Sequence, residues 1–148
     1  MRFEKSAGAI VCRRENGTDK FLLLHYPSAA HRSNRDYWDF VKGHVETGEK
    51  ELDTVIREAK EETGLSDLEF AGGFKTSMKY FFRFEGELIF KIVTFRLAFT
   101  KTEAITLSGE HNDFAWLSYP EAFEMLSFKN AKLVLAKAND FLKKSNRT

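Results

Sequence analysis

Glu58, Glu61 and Glu62 lie three and four residues apart within Ile56-Arg57-Glu58-Ala59-Lys60-Glu61-Glu62-Thr63-Gly64. On a helix turning about 100° per residue, that spacing gathers the three carboxylates on one patch. Like charges this close repel unless something positive stands between them. Mg²⁺ suits the place: it takes oxygen ligands, keeps several waters, and binds through a few carboxylates together with substrate phosphates. Gly43 and Gly48 precede the helix, where backbone approaches a ligand closely, and a carbonyl near Gly43 would add another oxygen. Taken alone, Glu-x-x-Glu-Glu also fits a solvated acidic helix face.

A helix from about Glu49 to Thr63 must carry these groups. Leu52, Val55, Ile56, Ala59 and Thr63 recur at helical spacing and assign one side to the core, with the carboxylates a quarter-turn or more away. Thr47 is the expected N-cap and Gly64 the expected C′ residue. Before the helix, Phe3 to Arg14 and Phe21 to Tyr26 read as strands joined by Glu15-Asn-Gly-Thr-Asp. Trp38 to Gly43 reads as one short strand that places Lys42 beside the turn. A loop from Pro27 to Tyr37 carries His31, Arg32 and Arg35, which either reach toward phosphate or form a basic surface. After the helix, strands are expected over Leu68 to Gly73 with extension through Phe84, over Leu88 to Thr100, and over Phe114 to Leu117, with a hairpin turn near Gly86. Both faces of the Leu88 strand carry apolar residues, so both are expected to be covered. Ser118-Tyr-Pro-Glu is a capping-box start, and a last helix runs from about Asn130, burying Val134, Leu135, Ala138, Phe141 and Leu142. Helices on both sides of a mixed sheet make an α/β/α sandwich.

The 148 residues suit one domain spanning 1–148 with a substantial core, consistent with 43% apolar residues and 15 Phe. A net charge of +1 gives no general attraction to nucleic acid or to an acidic membrane. Cys12 is the single cysteine and reads as a buried thiol in Ala-Ile-Val-Cys, which fits a reducing compartment. No signal-peptide h-region and no apolar run near about 20 residues occur, so a soluble cytoplasmic protein, a monomer without membrane or stable nucleic-acid partner, is expected.

The stretch from Gly43 to Leu65 resembles the Nudix box: Gly43, Glu49, Arg57, Glu58, Glu61, Glu62, Gly64 and Leu65 meet its fixed positions in register, with Ala59 at the inner apolar one. The resemblance implies a Nudix-type α/β/α sandwich and a hydrolase of nucleoside diphosphates linked to another moiety, using Mg²⁺ or Mn²⁺ to activate water. It implies Glu58, Glu61 and Glu62 as metal ligands or base, Arg57 as orienting a carboxylate, and Glu49 as supporting the loop.

Outside the box, Phe21-Leu-Leu-Leu, Trp38-Asp-Phe-Val-Lys-Gly-His-Val-Glu, Gly73-Phe-Lys with Tyr80, Leu107-Ser-Gly-Glu-His with Trp116-Leu, Glu121-Ala, and Phe128-Lys with the closing helix resemble the asymmetrical diadenosine tetraphosphate hydrolases. Such enzymes split the dinucleotide into ATP and AMP. The resemblance implies Tyr80 and Phe128 as an adenine clamp, with core packing the alternative for Phe128. It also implies Lys42 and Lys91 as basic groups near the phosphate chain, with a solvent-facing sheet edge the alternative for Lys91. For Glu110 the resemblance implies an extra metal ligand or base, with an exposed loop carboxylate the alternative. His44 beside the box contacts phosphate or packs. Two departures stand out: Val41 replaces the proline usual before that lysine, and Tyr37 replaces the histidine usual before the Trp. Other readings are hydrolysis of another nucleotide, such as an RNA 5′ end or a modified nucleoside triphosphate, and a nucleotide-sensing module without catalysis.

Overall fold

A computed structural model describes residues 1–28 and 35–145, so His31 and Arg32 lie outside the described residues. Among the described residues, seven strands form one mixed sheet: β1 (Arg2–Glu15), β2 (Thr18–Tyr26), β3 (Tyr37–Asp39), β4 (Val41–His44), β5 (Glu69–Phe84), β6 (Glu87–Phe99) and β7 (Asp113–Leu117). Three helices among the described residues accompany it: α1 (Glu51–Thr63), α2 (Tyr119–Met125) and α3 (Lys129–Lys144). The path across the sheet is β3-β2-β1-β6-β5, with β7 on β2 and β4 on β1. β1 and β6 run parallel, and the other pairs are antiparallel.

Alternation along β1 explains the layering. Ile10 and Cys12 enter a core with Val93, Phe95 and Leu97 and with Ala122, Val134, Leu135 and Ala138 of α2 and α3. Ala7, Ala9 and Val11 enter the opposite core with Val55 of α1, Leu22, Leu24, Val41 and Leu65. Successive side chains point to opposite faces, so a strand apolar at nearly every position must be covered twice. Each such buried Leu, Ile or Phe contributes about 1.5–3 kcal/mol. Both tight hairpins place two residues at positive φ, Asn16-Gly17 and Glu85-Gly86, the conformation that two-residue turns between twisted strands demand. Ser118 closes the expected capping box with Glu121, whose Oε1 accepts the Ser118 N–H at 3.2 Å and the Ser118 hydroxyl at 2.9 Å.

Several expectations are corrected. α1 begins at Glu51 with Lys50 as N-cap, not Thr47, because the Glu49 side chain is held by the loop and by Arg57. The buried face of α1 is Thr54, Val55, Ala59, Glu62 and Thr63, while Leu52 and Ile56 are exposed. Burial thus turns toward Glu62, which leaves the solvated patch. The segment Trp38 to Gly43 is two strands interrupted at Phe40, β3 pairing with β2 and β4 with β1. β5 runs unbroken from Glu69 to Phe84, its register slipping between Phe70 and Lys75 across Gly72-Gly73. Gly73 there has φ +87°. Among the described residues no helix is long and apolar enough to cross a membrane.

Candidate functional site

One edge of β1 has two partners. Residues Ser6 to Ala9 pair with β4, and Cys12 to Glu15 pair with β2. The end of β4, Lys42-Gly43-His44, is thereby presented to α1. A Cβ at Gly43 would collide with the Glu58 carboxyl, so only glycine lets that carboxylate lie against the backbone.

Arg57 organises the acidic groups. Its Nε and Nη2 donate to Glu49 Oε2 and Oε1 at 2.9 and 3.1 Å, Nη1 donates to Glu58 at 2.9 Å and to Glu61 at 3.4 Å, and Nη2 also reaches the His44 carbonyl at 3.1 Å. The planar guanidinium suits such a fork. Glu49 further accepts the Thr54 hydroxyl at 2.6 Å and the Glu46 N–H at 3.1 Å. The Arg57 hydrogen bond, followed by those from Thr54 and Glu46, holds the Glu49 carboxyl down at about 2. Glu49 in turn raises Arg57 above its ordinary value.

Glu58 and Glu62 behave oppositely. Burial pushes the Glu58 carboxyl up against the pull of Arg57. Burial, then the charge of Glu58, pushes Glu62 up to about 9. Glu62 is 6% exposed, and its Oε2 has no hydrogen-bond partner. The nearest cationic candidate is His111, whose Nε2 is 4.0 Å away. His111 is buried edge-on to the Tyr26 ring, with centroids 4.4 Å apart. The segment before it is pinned to the end of α1 by Thr106 N–H to the Thr63 carbonyl at 3.0 Å and Ser108 N–H to the Glu62 carbonyl at 3.3 Å. Glu110 is exposed and acts on Glu62 electrostatically. Glu61 is exposed. Among the described residues no three acidic, histidine or cysteine side chains surround one point at metal-binding spacing. Arg57 draws Glu58 and Glu61 toward itself.

Lys42, Lys91, Tyr80 and Phe128 form a second group. Lys42 Nζ is 3.1 Å from Asp39 Oδ2 in a nearly buried pair. Burial favours the neutral amine, but Asp39, with Tyr80 and Tyr37, outweighs it and holds Lys42 above its ordinary value. Lys91 is 8% exposed on β6, between Glu4 of β1 and Tyr80 of β5. This corrects the solvent-facing alternative for Lys91, since β6 is an inner strand. It alternates in step with Val93 and Phe95, on the α2 and α3 side. Tyr80 is half-buried against that core. Phe128 is 37% exposed at the N-cap of α3, not a core residue, and its ring meets Tyr37 at 5.1 Å. Tyr37 stacks on Tyr26 at 4.8 Å with the planes 5° apart. His44 is exposed at the end of β4.

Asp39, His111 and the Tyr26-Tyr37 stack are the neighbours that sequence reading left without a role. The acid in Trp38-Asp39-Phe40 carried the clearest signal, since a carboxylate amid apolar strand residues requires a partner. His111 and Tyr26 carried none, their meeting being a matter of tertiary structure.

The chain as a whole is similar to proteins of known type. The asymmetrical bis(5′-nucleosyl)-tetraphosphatase of Mus musculus is 35% identical over 148 residues, covering 93% of this chain and 95% of its own length. The Caenorhabditis elegans protein of that name is 29% identical over 139 residues, covering 93% and 96%. The crystal structure of a C. elegans Ap4A hydrolase binary complex superposes with a TM-score of 0.81 at 28% identity, over 95% of this chain and 98% of that one. Residues 2–137 match the NUDIX domain. With its box on α1 and the loop before it, and its sheet in this arrangement, the chain belongs to the NUDIX family of hydrolases.

Proposed function

We propose that this protein hydrolyses diadenosine tetraphosphate to ATP and AMP, with Mg²⁺ as cofactor and Mn²⁺ able to substitute. The observation that carries the reading is the pairing of two unlike halves at β4, carboxylates at Gly43 and a lysine-tyrosine group at Lys42. The tetraphosphatase name of the Mus musculus relative supports the choice of substrate.

The residues fit a hard cation. Glu62 Oε2 is buried without a hydrogen bond, the lack of a side chain at Gly43 lets the Glu58 carboxylate lie against its backbone, and the available donors are oxygens. Glu58, Glu61, Glu62 and Glu110, with the Gly43 carbonyl, would hold it. When bound, such an ion supplies a Lewis acid that activates water and offsets phosphate charge. Arg57 keeps Glu58 in place and ties it to Glu49. Glu61 and Glu62 are the two candidates to take the proton of the attacking water. Lys42 and Lys91 bind the phosphates and stabilise the charge on the departing ATP oxygen. Tyr80 and Phe128 stack on adenine, a contact worth about 1–3 kcal/mol per base. His44 meets phosphate at the strand end. In the balance, an oxygen–phosphorus bond forms from water to the phosphorus next to one adenosine, and the bridging bond beyond it breaks. The reading extends to a single-domain monomer acting on small nucleotides in the cytoplasm.

Hydrolysis of diadenosine tetraphosphate with Mg²⁺ in ¹⁸O-labelled water tests it. ATP and AMP are expected, with the label in AMP. Two ADP, or preferential release of pyrophosphate from RNA ends or mononucleotides, would overturn it.

A further inference from the structure

We propose that Asp39 is a positioning residue for the reaction, fixing the Lys42 ammonium at the phosphate chain and bracing the turn at Phe40 where β3 gives way to β4. The inference rests on the reading of Lys42 as phosphate-facing. Asp39 ends β3 and Lys42 lies in β4, and between them the chain leaves β2 for β1 at Phe40. A single carboxylate spans that break. Asp39 Oδ1 accepts the Phe40 N–H at 2.7 Å, and Oδ2 lies 3.1 Å from Lys42 Nζ. Asp39 is fully buried.

The rest of the turn is held from both sides. Tyr26 donates its hydroxyl to the Phe40 carbonyl at 2.5 Å, and the Phe40 ring meets Phe95 at 5.5 Å. Gly8 gives β4 its close approach, since a Cβ there would lie 2.5 Å from the Val41 carbonyl and 2.8 Å from Lys42 Cβ. What backbone packing leaves undetermined is the four-carbon stem of Lys42, whose rotamers scatter a point charge. The second oxygen of Asp39 removes that freedom. The buried pair also has to be kept whole, because a lone charge in such a place is strongly unfavourable.

A cycle of Asp39→Asn, Lys42→Met and the double substitution tests the assignment, with dinucleotide turnover and binding of inorganic tripolyphosphate as readouts. Asp39→Asn is expected to lower kcat about tenfold while KM moves less than about threefold, and to change kcat less than about twofold once Lys42 is methionine. Tripolyphosphate binding should show the same loss of effect in the Lys42→Met background. An unchanged kcat in Asp39→Asn, or equal losses in both backgrounds, would reduce Asp39 to a structural group and overturn the proposal. Should Asp39→Asn not fold, the ¹⁵Nζ signal of Lys42 in the unaltered protein decides. A resolved signal that shifts on adding tripolyphosphate supports a held, phosphate-reaching ammonium, and absence of any shift refutes it. If the protein splits a different nucleotide, the cycle run on that nucleotide still judges Asp39, while the proposed substrate fails separately.

Discussion

Apart from Glu110 and His111, the carboxylate half of the site comes from one continuous stretch, Gly43 to Leu65, whereas Lys42, Lys91, Tyr80 and Tyr37 come from four strands. In the first half, a helix and the loop before it place Glu49, Arg57, Glu58 and Glu62 by local geometry. In the second, nothing brings Lys91 near Tyr80 until β5 and β6 have paired in register. Local assembly tolerates strong mutual repulsion because Arg57 is built into the same stretch. Distributed assembly instead relies on buried contacts such as Asp39 with Lys42. The two halves should therefore fail in different ways when altered.

The largest effect is expected from Glu62→Gln or Glu61→Gln, each lowering kcat about a hundredfold or more with little change in KM, the scale of a lost general base or displaced metal. Steady-state kinetics for both decide this, and near-normal rates in both would dissolve the distinction between the halves. Gly43→Ala comes next. Its new methyl group forces the Glu58 carboxyl away, so a kcat loss of about tenfold and a stability loss of about 1–3 kcal/mol are expected. Thermal melts beside kinetics would show whether both occur. Tyr80→Ala should raise KM about tenfold and leave kcat nearly intact, as removal of a stacking platform does. An unchanged KM would assign Tyr80 to the core it already touches.

The smallest and broadest effect is on stability against pH. Folded Glu62 holds its proton up to about 9, whereas the unfolded chain releases it in the ordinary carboxylate range. Between those limits the folded state binds more protons, so the metal-free protein loses stability as pH rises through that window. Glu49 works in the opposite direction: held at about 2, it adds stability that is lost only as pH falls below the ordinary carboxylate range. Urea unfolding in chelator at pH 5.5 and 8.5 is expected to show the decline, and added Mg²⁺ to reverse it at the higher pH. A flat profile would mean that Glu62 is ionised without a cation.

This contrast also explains what was legible beforehand. The helix and its Gly64 stop follow from spacing within one element, where periodicity fixes neighbours, whereas the place of Arg57 beside Glu58 came from the resemblance to the box. Burial of Glu62 did not follow, because the helix is rolled by its contacts with β1 and β4 so that Ile56 faces solvent. The capping box at Ser118 and the turn at Gly86 were equally local. The break at Phe40 was not, since it depends on β1 having room for two partners along one edge. Lys91 illustrates the limit most clearly: its strand was legible, but its place inside the sheet required the parallel pairing of β1 with β6.

That parallel pairing has a consequence for how the chain folds. In that pairing residues Arg2 to Cys12 find their partners only at Ile89 to Phe99, 87 positions further along, so β1 waits for the whole span through β6 before its second edge is satisfied. Until then the glutamate-bearing helix can form but has no completed sheet to rest on. Such long-range closure slows folding and leaves an unpaired, strongly apolar strand exposed to other nascent chains. Truncations ending before β6 should therefore aggregate rather than yield a smaller, metal-binding fragment.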